Sequence, residues 1–226
     1  MSYLFTLPVP AVPVVGSADL FPVRRIYCVG RNYADHAKEM GFSEREAPFF
    51  FMKPADAVVP GGGPVAYPPC TDNLHHEIEL VVAIGRGGAH IPVDQAQDHI
   101  HGYAVGLDMT RRDLQLALRD KGRPWDMGKG FDQSAPLSSI TPASAVGHLE
   151  RGAIWLKVND VERQRSDIAK LIWSVPEVIA NLSEYVTLAP GDLIFTGTPE
   201  GVGKVVRGDE LVGGIDGLGE LRVILV

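Results

Sequence analysis

Hydrophobic positions along the 226-residue chain gather into short runs, most of them too brief for a helix and rich in Val, Ile and Phe. Residues 24–29 (Arg-Arg-Ile-Tyr-Cys-Val), 48–52, 80–84, 102–108, 154–158 and 192–195 read as strands, and residues 209–226 as further short strands separated by glycine turns. Helical signals are fewer. Asn32 as N-cap and Gly41 as a C′ glycine bound a two-turn helix, and residues 93–99 suit another short one. Thr110-Arg111-Arg112-Asp113 opens a third with a capping-box-like start. Ser174-Val175-Pro176-Glu177 is a capping box with Pro in the first turn, and the helix it opens should bury Val178, Ile179, Leu182 and Tyr185. Residues 60–64 and 85–88 are glycine-rich but open no amphipathic helix, so they read as turns and not as phosphate cradles. Asn159-Asp160 is a hairpin turn, and residues 119–130, with Trp125, Asp126 and Lys129, read as an ordered loop. Strands outnumber helices without regular alternation, which predicts a mixed α/β fold that is mainly β. An N-terminal arm over residues 1–23 should precede one domain over residues 24–226, since no linker or repeat divides the rest.

A hydrophobic content of 45% is enough for a sizeable core. Net charge is −7 and the Lys and Arg residues are scattered, so neither nucleic acid nor an anionic membrane is an expected partner. Residues 1–22 are apolar, but no Lys or Arg precedes Arg24, and Pro8, Pro10 and Pro13 interrupt any signal-peptide helix. No apolar run approaches the ~18 residues of a membrane span. Cys28 and Cys70 form no metal spacing and sit in apolar sequence, which suits reduced thiols in a soluble, cytoplasmic protein.

The chemistry centres on His75-His76-Glu77-Ile78-Glu79, which runs straight into Leu80–Ile84. In a strand, residues two apart face the same way, so Glu77 and Glu79 lie side by side. Paired carboxylates repel unless a proton or a cation sits between them, and a hard divalent cation such as Mg²⁺ is a common resolution. The same spacing also suits a solvated strand face. Asp108, at a strand-to-helix junction, could add a third oxygen ligand and favour Mg²⁺, Mn²⁺ or Ca²⁺ over zinc. A rival site is the pair His99 and His101 with a carboxylate, as in a non-haem iron oxygenase. His36 and Glu39 lie three apart on the first helix, within reach of each other, as do Arg112 and Gln115 on the third. Small and hydroxyl residues over 196–203 allow close backbone approach to a ligand.

Taken together, Gly30-Arg31-Asn32-Tyr33 with Asp35-His36 and Glu39, Phe51-Met52-Lys53-Pro54, His76-Glu77-Ile78-Glu79-Leu80, Leu107-Asp108-Met109-Thr110-Arg111-Arg112-Asp113 and Thr196-Gly197-Thr198-Pro199 resemble the fumarylacetoacetate hydrolase superfamily. The order holds from about Arg24 to the C-terminus, and the likeness is to its small acylpyruvate and fumarylpyruvate hydrolases. The resemblance implies a β-roll with short peripheral helices, a homodimer, and Mg²⁺ or Mn²⁺ on Glu77, Glu79 and Asp108. It casts His36 as general base paired with Glu39 on a lid helix, with Arg112, Gln115 and Lys129 stabilising oxyanions. Arg31, Lys53 and Thr198 match positions that bind substrate. The implied reaction is hydrolysis of a carbon–carbon bond in a 2,4-dioxo acid, with fumarylpyruvate the first choice of substrate. Oxaloacetate decarboxylation and dioxo-acid isomerisation are alternatives within the same superfamily.

Overall fold

The computed structural model describes residues 3–33 and 46–226. At its centre is the strand Ile78–Ile84, buried at every position. Ile78, Leu80, Val82 and Ile84 point into the larger core, and Val81 and Ala83 into a smaller one on the opposite face. Such a strand needs sheet neighbours on both sides and cover on both faces. It pairs antiparallel with Asp192–Phe195 and with Ile100–Leu107. The eight-stranded sheet extends outward through Arg25–Gly30 and Phe49–Lys53 on one side, and through Ala135–Leu137 and Val58–Pro60 on the other, with Thr141–Pro142 joined to Ile100–Leu107. Gly106 sits where a Cβ would lie 2.5 Å from the Val81 side chain and 2.7 Å from the Phe195 ring, so only glycine lets these strands close up.

A five-stranded sheet (Val161–Asp167, Ala153–Val158, Glu210–Ile215, Gly219–Leu225, Gly63–Val65) supplies Ile154, Leu156, Leu211, Leu221 and Val223 to the larger core. A three-stranded sheet of Thr110–Arg111, Leu74–His76 and Gly203–Val205 stands beside the carboxylate run. The hairpin of Ala11–Pro13 and Leu20–Pro22 brings Val12 and Phe21 onto the smaller core. The fold is mixed α/β and dominated by strands, with short peripheral helices.

The predicted strands form within one or two residues of their expected ends. The helix Val175–Tyr185 has the expected capping box and buries Val178, Ile179 and Leu182. Tyr185 is 75% exposed instead, as the last residue of the helix. The capping box expected at Thr110 does not form. Thr110 pairs with His75 as a strand, its hydroxyl donates to the Asp108 carbonyl, and the helix starts only at Arg112. Residues 119–130 contain one helical turn, Asp126–Lys129. Cys28 is buried as expected, whereas Cys70 is exposed, in a turn with φ 61°. The predicted helix from Asn32 to Gly41 and the loop after it fall largely on residues 34–45, outside the described residues, as do His36 and Glu39.

Candidate metal centre

Strand alternation brings the acidic residues together. Glu79 lies on the same face as Val81 and Ala83, opposite Gly106 in the pairing with Ile100–Leu107, and Asp108 follows directly after that neighbouring strand. Glu77 precedes the central strand by one residue, and its carbonyl accepts from Asp108 N at 2.9 Å, tying the two strand ends together. Oxygen atoms of Glu77, Glu79 and Asp108 all lie within 4.8 Å of one another, and all three residues are buried.

Three cations face these carboxylates. Lys129 Nζ donates to Glu77 Oε2 at 2.8 Å, Asp108 Oδ2 at 2.6 Å and Thr110 Oγ1 at 2.7 Å. Arg112 pairs with Glu77 Oε1 and donates to Gln115 Oε1 at 3.1 Å, so the predicted Arg112–Gln115 pair is in place. Lys53 Nζ donates to the carbonyls of Met109 and Lys129 at 3.1 and 2.5 Å and lies 2.7 Å from Asp108 Oδ1. Lys53 was expected to bind substrate, but its amine is fully buried behind Asp108. Its partners are carbonyls and Asp108, which suits fixing that carboxylate.

Glu79 differs from its neighbours. Its Oε2 accepts from Gly197 N at 2.7 Å, yet burial, followed by the nearby charges of Asp108 and Glu77, pushes its pKa well above the ordinary carboxyl range. Gly197 can reach Glu79 because its backbone is left-handed at φ +102°, and a Cβ there would meet Asn32 Cβ at 2.7 Å. Burial works against the Lys129 ammonium, but Asp108 and Glu77 outweigh it and hold its pKa above the usual value. Asp108 Oδ1 is buried and ion-paired with Lys53 Nζ at 2.7 Å. An all-oxygen donor set and a carboxyl that resists ionisation together fit a hard divalent cation such as Mg²⁺ or Mn²⁺.

At any pH below its raised pKa, Glu79 must lose a proton when such a cation binds. Cation affinity should therefore rise with pH and level off above the raised Glu79 pKa, with about one proton released per Mn²⁺. Without the cation the folded state keeps a proton that the unfolded chain has already lost, so stability should fall as pH rises from the ordinary carboxyl range to that pKa. Titration calorimetry in buffers of different ionisation enthalpy checks this, and pH-independent affinity would contradict it.

Above the carboxylates lies a small open cavity of about 40 Å³, lined by the triad, Arg112, Gln115, Lys129 and Thr198, with Arg31 and an aromatic wall of Phe49, Phe51 and Trp125. Arg31, at φ 57°, lies over the Phe49 ring at 5.4 Å, and Trp125 meets that ring edge-on. Sequence reasoning missed the wall, because Phe49 and Phe51 resemble any strand residues until the 119–130 loop folds onto them. It also missed Gln164. The rival histidines are elsewhere. His99 donates through Nδ1 to the Arg86 carbonyl at 2.9 Å, and His101 stacks on Phe21 at 5.5 Å. They stand at the start of Ile100–Leu107, the end away from the triad, and the only cluster of metal-binding type among the described residues is Glu77, Glu79 and Asp108. Among the described residues, His99 and His101 therefore build no iron site of the oxygenase type.

The chain belongs to the fumarylacetoacetate hydrolase family: the family model described as fumarylacetoacetate (FAA) hydrolase C-terminal matches residues 25–226. Within that family it is similar to a fumarylpyruvate hydrolase of Ralstonia, at 54% identity over 79% of this chain and 92% of the relative. It also resembles a mitochondrial oxaloacetate tautomerase of Rattus norvegicus, at 45% identity over 88% of this chain and 90% of the relative. Among solved structures, fumarylpyruvate hydrolase from Pseudomonas aeruginosa in complex with Mn²⁺ and pyruvate superposes with a TM-score of 0.97 at 59% identity, covering 100% of this chain and 99% of that one.

Proposed function

We propose that this protein hydrolyses fumarylpyruvate to fumarate and pyruvate during the breakdown of aromatic compounds. It is a divalent-cation-dependent hydrolase of carbon–carbon bonds in acylpyruvates. The observation that carries the reading is the buried Glu77–Glu79–Asp108 triad under a cavity, in a chain 59% identical along its whole length to a fumarylpyruvate hydrolase that holds Mn²⁺ and pyruvate.

Glu77, Glu79 and Asp108 would hold a divalent cation, which when bound would supply Lewis acidity toward a 2-oxo acid. Thr198 takes the carboxylate at the 2-oxo acid end of the substrate through its hydroxyl, and Arg31, at the aromatic wall, takes the far carboxylate of the fumaryl group. His36, oriented by Glu39, removes a proton from the attacking water. Arg112 holds the Gln115 carbonyl oxygen, which leaves the Gln115 amide N–H groups to face the cavity. Gln115 and Lys129 then donate to the oxyanion that forms at the attacked carbonyl, Lys129 exchanging one of its present bonds to do so. Lys53 keeps Asp108 in place beneath them.

Charge supports a dianionic substrate. Lys53, Lys129 and Arg112 balance the three carboxylates, so a bound divalent cation leaves the cavity floor positive. Relatives named oxaloacetate tautomerase share the family at 45% identity, which makes oxaloacetate the substrate to test against. Purified protein with Mg²⁺ should show its highest kcat/KM on fumarylpyruvate, a lower one on acetylpyruvate, which lacks the far carboxylate, and the lowest on oxaloacetate. A higher value on oxaloacetate would overturn the assignment.

The active form is a homodimer in the cytoplasm, and residues 24–226 form its catalytic domain. Exposed Tyr3, Leu4, Phe5, Leu7 and Val9 support an assembled state in which the 1–23 arm is covered. Among the described residues no helix is long and apolar enough to cross a membrane.

A further inference from the structure

The strand Val161–Asp167 faces solvent along most of its length, and Gln164, 1% exposed, is its one fully buried position. Its amide reaches the metal centre from behind. Nε2 lies 2.8 Å from Thr198 Oγ1 and 2.8 Å from the Pro199 carbonyl. Oε1 lies 3.2 Å from Ile78 N and 2.9 Å from His76 Nδ1. Two of these partners decide which end of the amide is which. The Ile78 N–H can only donate and the Pro199 carbonyl can only accept, so turning the amide over would set donor against donor and acceptor against acceptor. Nε2 therefore donates to Thr198 Oγ1, and His76 carries its hydrogen on Nδ1.

A hydroxyl has one hydrogen, and a donor arriving at its oxygen forces that hydrogen elsewhere. Thr198 is buried but lines the cavity beside the triad, and among the described residues no acceptor is bonded to its hydrogen. We propose that Gln164 is a positioning residue that aims the Thr198 hydroxyl hydrogen into the cavity, ready to donate to a carboxylate oxygen of the substrate. The same amide accepts from Ile78 N on the central strand, which fixes the amide itself in place. Holding a donor in place before the ligand arrives removes the cost of orienting it on binding. The inference rests on the reading of Thr198 as the carboxylate contact.

The probe is oxalate, a small planar dianion that mimics the 2-oxo acid end, titrated into Mn²⁺-loaded protein. Gln164→Met removes the donor that orients Thr198 and should weaken oxalate roughly tenfold or more, the share of one hydrogen bond to a charged group. The KM for fumarylpyruvate should rise by a similar factor while kcat stays within a few-fold, because the contact is to a group that does not react. Thr198→Val should lose at least as much, and adding Gln164→Met to it should cost little more. Mn²⁺ affinity without oxalate should stay at the wild-type value in every variant, which separates a misdirected hydroxyl from a damaged site. Gln164→Leu takes the same place in the cycle if Gln164→Met does not fold. Thr198→Val binding oxalate like wild type would remove Thr198 as the carboxylate contact. Loss in Thr198→Val with none in the Gln164 variants, or losses that add fully in the double variant, would overturn the role of Gln164 and leave the proposed function standing.

Discussion

Asp108→Ala should abolish both Mn²⁺ binding and turnover, and it should lower stability by about 3–5 kcal/mol. The two losses have one cause. Asp108 is fully buried, with Oδ2 on Lys129 and Oδ1 facing Lys53, so truncation removes an oxygen ligand and leaves two buried ammonium groups short of a counter-charge. Two remaining carboxylates rarely hold Mg²⁺ unaided. Glu77→Ala should behave in the same way, since Glu77 is bonded to both Arg112 and Lys129. Calorimetry with Mn²⁺ and a thermal melt on the same preparation check both effects. Wild-type cation affinity in either variant would take that residue out of the centre.

A second large effect should dissociate chemistry from cation binding. His36→Ala should reduce fumarylpyruvate hydrolysis roughly 10²–10⁴-fold, the usual share of a positioned general base, while Mn²⁺ affinity stays near wild type. Oxaloacetate decarboxylation, which needs no activated water, should fall much less. Undiminished hydrolysis would remove His36 as the base, and lost Mn²⁺ binding would make it a ligand.

The sequence carried the strand that organises the site because the cue is local. Glu77 and Glu79 at period two, joined to an apolar run, already place two carboxylates on one face. Asp108 was legible as a junction residue, although its place beside Glu79 depends on antiparallel register, with Glu79 opposite Gly106. Other features depend on long-range contacts that no local pattern encodes. Thr110 has the residues of a helix cap, but pairing with His75 and a bond from Lys129 claim it first. Tyr185 has core spacing, yet the helix ends before another element can cover it. Lys53 carries a motif shared with substrate-binding positions, but its amine points behind Asp108, and only the folded sheet shows which side of a carboxylate a lysine occupies. Gln164 had one faint signal, an amide at the buried position of an otherwise polar strand; its partners lie 34 and 88 residues away in the chain.

Cation-dependent hydrolysis at the Glu77–Glu79–Asp108 centre is tested most directly by following the products of fumarylpyruvate in heavy-oxygen water with Mn²⁺ present. The expected result is equal amounts of pyruvate and fumarate, one heavy oxygen in the newly formed fumarate carboxylate, and no cleavage once a chelator removes the cation. Cleavage that survives the chelator, or fumarate without the label, would contradict it.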